Sequence, residues 1–289
     1  DNSAFVVYLG NNGRLQLDAP ASLIITKQVM ADEGLTAPGG TFTFQITAEE
    51  KAGETVSAVL TTPAAGEDGQ EATQDTTVVF NEDGVATVEL TAGQSIELQG
   101  MAGVDYEIRE TELPEGFRIS NVEGADEVDN ETHTASGVIA VGADDESVTF
   151  TNNYSVASTT TAELGIDLDG TKTIDGRDFQ EGDTFTFRIA AAQATPDAPL
   201  PTEDMDNDGS AATATITPAS GNSASFGFGD ITFTEPGEYR YIITEVNPAD
   251  DGDEATSGIP GMAYDTVLYR MNIVIADKGD GTLGLLEVS

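Results

Sequence analysis

Hydrophobic residues recur at every second position along most of this chain: TFTFQI at 41–46, ATVEL at 86–90, TFTFRI at 184–189 and YRYII at 239–243. Successive side chains of a strand point to opposite faces, so this period builds half-buried strands rather than an amphipathic helix, whose period is about 3.6 residues. Gly, Asp, Asn and Pro punctuate the runs, as in Asn81-Glu-Asp-Gly84 and Asp277-Lys-Gly-Asp-Gly281, which is the chemistry of tight hairpin turns. The spacing predicts an all-β protein.

The alternation occurs twice in the same order. Lys27, TFTF from Thr41 and YEIRE from Tyr106 are followed by Lys172, TFTF from Thr184 and YIITE from Tyr241. The Lys-to-Glu interval is 83 residues in the first half and 73 in the second. Two copies of one domain are therefore expected, at 21–156 and 157–289, with the small polar run 155–162 as the joint. Residues 1–20, with Asn11-Asn12-Gly13 between two apolar runs, are expected to form a hairpin at a junction with an upstream domain. The Ala/Pro/Asp-rich stretch 194–224 lacks sustained alternation and reads as a surface loop.

Composition narrows the function. The 52 Asp plus Glu against 11 Lys plus Arg give a formal charge of -41, which disfavours nucleic acid and anionic membrane surfaces as partners. No run approaches the ~18 apolar residues of a membrane span, and the N-terminus lacks the basic and apolar regions of a signal peptide, so a mature or excised segment is expected. With no cysteine, any covalent staple must come from other side chains.

The exceptions to the acidic composition are the informative residues. Of four lysines, Lys27 and Lys172 lie in the first strand of each copy. In 23–29 the odd positions read Leu, Ile, Lys, Val, and in 166–174 the even positions read Ile, Leu, Gly, Lys, Ile, so both ammonium groups point to the apolar face. An inward charge is costly unless paired. Glu110 shares a face with Tyr106 and Ile108, and Glu245 with Tyr241 and Ile243, while Asn152 lies between Phe150 and Tyr154.

Singly, each residue has an ordinary explanation: a lysine reaching out at a strand edge, a glutamate at a strand end, an asparagine in a turn. Together they can form an amide. Burial lowers the lysine pKa towards a nucleophilic amine and raises that of the glutamate. Lys27 Nζ would attack Asn152 Cγ, with Glu110 polarising the carbonyl and carrying protons to the departing ammonia. This is a single-turnover event that calls for no cofactor.

The chain resembles the isopeptide-forming domains of Gram-positive pilins and adhesins, specifically the streptococcal-type pilin isopeptide-linkage domain. In the second copy the resemblance is carried by GTKTIDGRDF from Gly170, ITFTEPGEYRYIITEV from Ile231 and MAYDTVLYRMNIVI from Met262. In the first it is carried by YEIRETELPEGF from Tyr106 and VTFTNNY from Val148. It implies tandem immunoglobulin-like β-sandwiches, a Lys27–Asn152 link under Glu110, and Lys172 with Glu245 in the second copy. It also implies an extracellular, wall-attached stalk or shaft whose partners are neighbouring domains of the same surface protein or pilus. The second copy departs from the pattern. An interval of 42 residues, that from Glu110 to Asn152, would put its asparagine near 287, where none occurs, and Asn272 faces away from Met271 and Ile273. Its final strand is expected to lie outside this segment.

Other candidates are weaker. Asp204, Asp206 and Asp208 with Gly209 imitate the opening of a calcium loop, but its twelfth position is Thr215 rather than a bidentate Glu. His133, the one histidine, is expected to face solvent from a polar strand. A rival reading makes the chain a ligand-binding β-sandwich for a host protein, glycan or cation, using the 194–224 loop. Another makes it a salt-adapted accessory domain. Lys51 and Lys278 lie in no motif.

Overall fold

The protein was analysed as a computed structural model, which describes residues 6–9, 15–18, 21–64, 70–129, 131–206, 209–248 and 258–289. The chain divides into two compact units, Asp1–Ser155 and Val156–Ser289. β1 (Val6–Leu9) and β2 (Leu15–Asp18) form an antiparallel pair at the start of the first. The residues 11–13 expected to turn between them lie outside the described residues.

The first unit continues through β3 (Leu23–Ala31), β4 (Thr41–Thr47), β5 (Thr55–Thr62), β6 (Ala72–Val79), β7 (Val85–Thr91) and β8 (Ser95–Leu98). It ends with β9 (Val104–Glu112), β10 (Phe117–Glu123), β11 (Glu127–Asp129), β12 (Thr134–Ile139) and β13 (Glu146–Tyr154). One sheet has the order β10-β13-β3-β8-β5-β6 and the other β11-β12-β9-β4-β7. Their inner faces are the alternating positions of the sequence: Leu23, Ile25, Phe42, Phe44, Ile46, Ile108, Val148 and Phe150 are all buried. This is the two-layer sandwich expected of antiparallel sheets with one apolar face each.

One pairing breaks the antiparallel rule. β13 runs parallel to β3 over nine residues, with Phe150 opposite Lys27 and Asn152 opposite Val29. The first and last strands of the sandwich are thus neighbours, and both offer their inward faces to the same part of the core.

The second unit contains β14 (Thr159–Thr160), β15 (Asp169–Thr173), β16 (Phe185–Ala191), β17 (Ala211–Ile216), β18 (Ser223–Gly227), β19 (Thr232–Phe233), β20 (Gly237–Glu245), β21 (Tyr269–Asp277) and β22 (Leu283–Val288). A five-stranded sheet of order β17-β16-β20-β21-β22 faces two short pairs, β15-β18 and β14-β19. β16 and β20 correspond to β4 and β9 of the first unit, and β15 to β3.

Two expectations from the sequence are revised. The stretch 194–224 is not one loop, since it contains β17 and the start of β18. Its alternation is carried by Ala212 and Ala214, too small to register as a hydrophobic period but buried against the core. The polar run at 155–162 is also built in from Thr159 onward, where Thr161 is fully buried and its hydroxyl donates to Asp230 at 2.8 Å.

Gly124 holds the turn after β10 at φ +97°, and a Cβ there would overlap the Ser147 carbonyl oxygen at the start of β13. A methyl group must therefore move the backbone that carries β13. Gly124→Ala is expected to destabilise the first unit by about 2 kcal/mol, read as a lower denaturation midpoint at unchanged m-value.

Candidate functional site

Lys27 sits in the middle of β3, where the strand phase that buries Leu23 and Ile25 also buries it. Its side chain is fully excluded from solvent. β9 in the facing sheet carries Glu110 to it: Nζ lies 3.1 Å from Oε1 and 3.3 Å from Oε2. β13 brings Asn152, fully buried, from the neighbouring parallel strand, and its Nδ2 donates to Glu110 Oε1 at 2.8 Å. The three residues singled out in the first copy therefore meet, two from one sheet and the carboxyl from the other.

Burial dominates the electrostatics. Desolvation pulls the Lys27 pKa down to about 8, even though the Glu110 charge and hydrogen bond oppose it. Desolvation likewise pushes the Glu110 carboxyl above the ordinary carboxylate range, against the pull of Lys27 and the Asn152 amide. The two shifts converge, so a proton passes from ammonium to carboxylate at far lower cost than in water.

One detail differs from the arrangement expected. Glu110 faces the amide nitrogen of Asn152, not its carbonyl oxygen, and among the described residues Asn152 Oδ1 has no hydrogen-bond partner. The contact suits proton delivery to the nitrogen that would depart. Polarising the carbonyl from Glu110 would require the amide to turn over, which would also give the buried Oδ1 a donor.

The phenylalanines of the repeated TFTF motif complete the site, although the sequence marked them only as strand. Lys27 Nζ lies 4.4 Å from the ring centroid of Phe42 and 5.9 Å from that of Phe44, and Phe44 packs edge-on against Phe150 of β13 at 5.1 Å. The recurrence of the motif beside each inward lysine was the available signal. These rings exclude water while their faces still attract the cation.

The second unit repeats the pair without the asparagine. Lys172 Nζ lies 2.6 and 2.7 Å from the two oxygens of Glu245, and 5.0 Å from the ring centroid of Phe185. Glu245 Oε2 also accepts the Asp265 backbone N–H at 2.9 Å. Asn272 lies on β21 in the five-stranded sheet, opposite Arg240, and its backbone pairs with Ser289. It is not on a strand beside β15.

The remaining candidates do not assemble. Asp206 is occupied by the Ala211 N–H, the Ser210 hydroxyl and Arg188, Asp204 has a φ of +51°, and Asp208 lies outside the described residues. Among the described residues no group of three His, Cys, Asp or Glu could hold a metal ion. His133 lies in a turn at φ +53° rather than within a strand.

Residues 168–288 match the family described as the Spy0128-like isopeptide containing domain. The second unit is similar to that isopeptide-domain family over most of its length. Residues 21–154, the first unit's sandwich, match a family described only as a domain of unknown function. No curated protein matches the chain. Among solved structures, the pilus-presented adhesin Spy0125 (Cpa) is 22% identical, with 47% of this chain and 27% of that one covered and a TM-score of 0.31. The major pilin from Streptococcus pyogenes is 12% identical, with 92% and 96% covered and a TM-score of 0.23. The full-length major pilin SpaD from Corynebacterium diphtheriae is 15% identical, with 89% and 67% covered and a TM-score of 0.23. This chain thus spans about a quarter of the adhesin.

The titration of the site supplies a test. In Asn152→Ala both Lys27 and Glu110 stay free. A lysine whose folded pKa is about 8 against 10.5 unfolded binds fewer protons folded than unfolded between those values, so stability rises with pH across that window. Glu110, raised in the fold, makes stability fall as pH climbs through and above its ordinary value. Thermal melts of Asn152→Ala are therefore expected to gain stability from pH 8 to 10. Protein in which Lys27 is an amide lacks that gain.

Proposed function

We propose that the chain is a structural segment of a pilus shaft or adhesin stalk on a Gram-positive cell surface, whose first unit staples itself with a Lys27–Asn152 isopeptide bond. The observation that carries this reading is the fully buried Lys27–Glu110–Asn152 contact across the parallel β3–β13 pair. A buried ion pair is a poor source of stability, because desolvating both charges offsets most of their attraction. Its presence beside a carboxamide in an apolar core fits a reactive role better than a stabilising one.

The steps balance within the triad. Lys27 passes one proton to Glu110 and its neutral Nζ attacks Asn152 Cγ. The Nζ–Cγ bond forms and the Cγ–Nδ2 bond breaks, its electron pair leaving with the nitrogen. A second lysine proton goes to that nitrogen, which departs as ammonia, and the proton held by Glu110 is released to the ammonia or to solvent. Packing against Phe42, Phe44 and Phe150 holds the groups together and excludes water, so proximity supplies most of the acceleration. The first unit reacts once, and the chain is not a turnover enzyme.

A link from residue 27 to residue 152 closes a loop of about 125 residues and removes roughly 5 kcal/mol of unfolded-state entropy. Attachment to the cell wall and assembly with other subunits belong to the same proposal. The -41 charge fits a solvated, mutually repelling exterior for such a segment.

Intact mass spectrometry is expected to find the wild-type chain lighter than its sequence by one ammonia, with Lys27 and Asn152 in one branched peptide after digestion. Lys27→Ala, Asn152→Ala and Glu110→Ala are expected to restore the full mass, and Asn152→Ala to lower the first unit's Tm by roughly 10–20 °C. A folded wild-type protein of unmodified mass would overturn the proposal.

A further inference from the structure

The apolar pattern of β13 leaves its register open. Its inward residues are Glu146, Val148, Phe150, Asn152 and Tyr154, paired with Leu23, Ile25, Lys27, Val29 and Ala31 of β3. A slip of one residue would turn every side chain to the other face, so burial forbids it. A slip of two residues keeps the inward face inward and puts Phe150 or Tyr154 where Asn152 now sits. It also moves the carboxamide about 6.6 Å along the strand, beyond reach of Lys27 Nζ. A contact besides the alternation must therefore choose between these registers.

That contact comes from β9. Tyr106 and Glu110 share its inward face, both buried. The Glu110 carboxyl accepts from Asn152, and the Tyr106 hydroxyl donates to Glu146 Oε1 at 3.0 Å. One strand of the facing sheet thus holds β13 at its first inward residue and again at Asn152. Space for the phenol comes from Gly137, opposite Tyr106 on β12, where a Cβ would lie 2.8 Å from the hydroxyl. Burial and the Glu146 carboxylate push the phenol pKa up, so it remains a donor. The same end of β13 is tied to β3: Asp145 Oδ1 accepts the Ser22 N–H at 2.8 Å, and the Ser22 carbonyl accepts the Glu146 N–H at 2.9 Å.

We infer that Tyr106 and Glu146 are a positioning pair, setting the register of β13 so that Asn152 arrives beside Lys27 and Glu110. The inference rests on the Lys27–Asn152 linkage proposed above. Glu146 lies at the start of β13 and Asn152 near its end, so the pair acts through the placement of the amide rather than on the reacting atoms. Without their contact the strand divides between registers of equal apolar phase, and only the fraction in the observed register can react. A hydrogen bond to a charged acceptor is strong enough to shift that division by about tenfold.

The test follows the intact mass of the 289-residue protein after a pulse of cell-free synthesis, which starts every chain unlinked, and scores the loss of one ammonia per folded chain. Tyr106→Phe and Glu146→Ala are each expected to link about tenfold more slowly than wild type, and the double variant no more slowly than either. Glu146→Gln, which keeps an acceptor for the phenol, is expected to link near the wild-type rate. Val78→Ala removes core packing from β6, at the edge of the sheet away from β13, and is expected to lose stability yet link at the wild-type rate. Equal rates in wild type and Tyr106→Phe would overturn the inference alone, as would slowing of Val78→Ala by the same factor. A wild-type chain that keeps its full mass would instead overturn the linkage itself, and the inference with it.

Discussion

The first sandwich is organised around a positive charge with no access to water. An ammonium in an apolar core costs several kcal/mol after relaxation, and a carboxylate beside it recovers only part of that cost. The fold therefore has to bring Glu110 across from the opposite sheet, align Phe42 beneath the nitrogen and close the site with Asn152. Converging pKa values follow from the same burial. An amide bond would remove the charge altogether, turning the least comfortable group of the core into a neutral one.

The topology makes this possible. Parallel neighbours need a long crossover, and here the crossover is nearly the whole domain, from β3 out through both sheets and back at β13. Because the neighbours are parallel and in phase, Lys27, Phe150 and Asn152 all face inward. The second unit repeats the lysine, glutamate and phenylalanine of the first, and β15 is paired among the described residues with β18 alone.

Much of this was legible in the sequence because strand period and side-chain chemistry coincide. Lys27, Glu110 and Asn152 could be assigned to inward faces by counting twos, since a strand has only two faces. What counting could not reveal was pairing. That Asn152 lies diagonal to Lys27 on a parallel neighbour depends on long-range register, and the orientation of its amide towards Glu110 depends on local packing. β17 was missed because Ala212 and Ala214 bury little area each, so the alternation that marks other strands fades there. The stacking of Phe226 on Phe187 was invisible for a related reason: it joins residues 39 positions apart on different strands.

The parallel register of β3 and β13 also sets how far the first unit can lengthen. Were Lys27 joined to Asn152 as proposed, a pull on the two ends of the sandwich would be carried by residues 21–27 and 152–154. These are already extended at about 3.3 Å per residue, close to the limit of the chain. Without the bond, unravelling would release about 125 residues, roughly 400 Å of slack. That one amide would separate a tether of nearly fixed length from one that pays out many times the width of the domain.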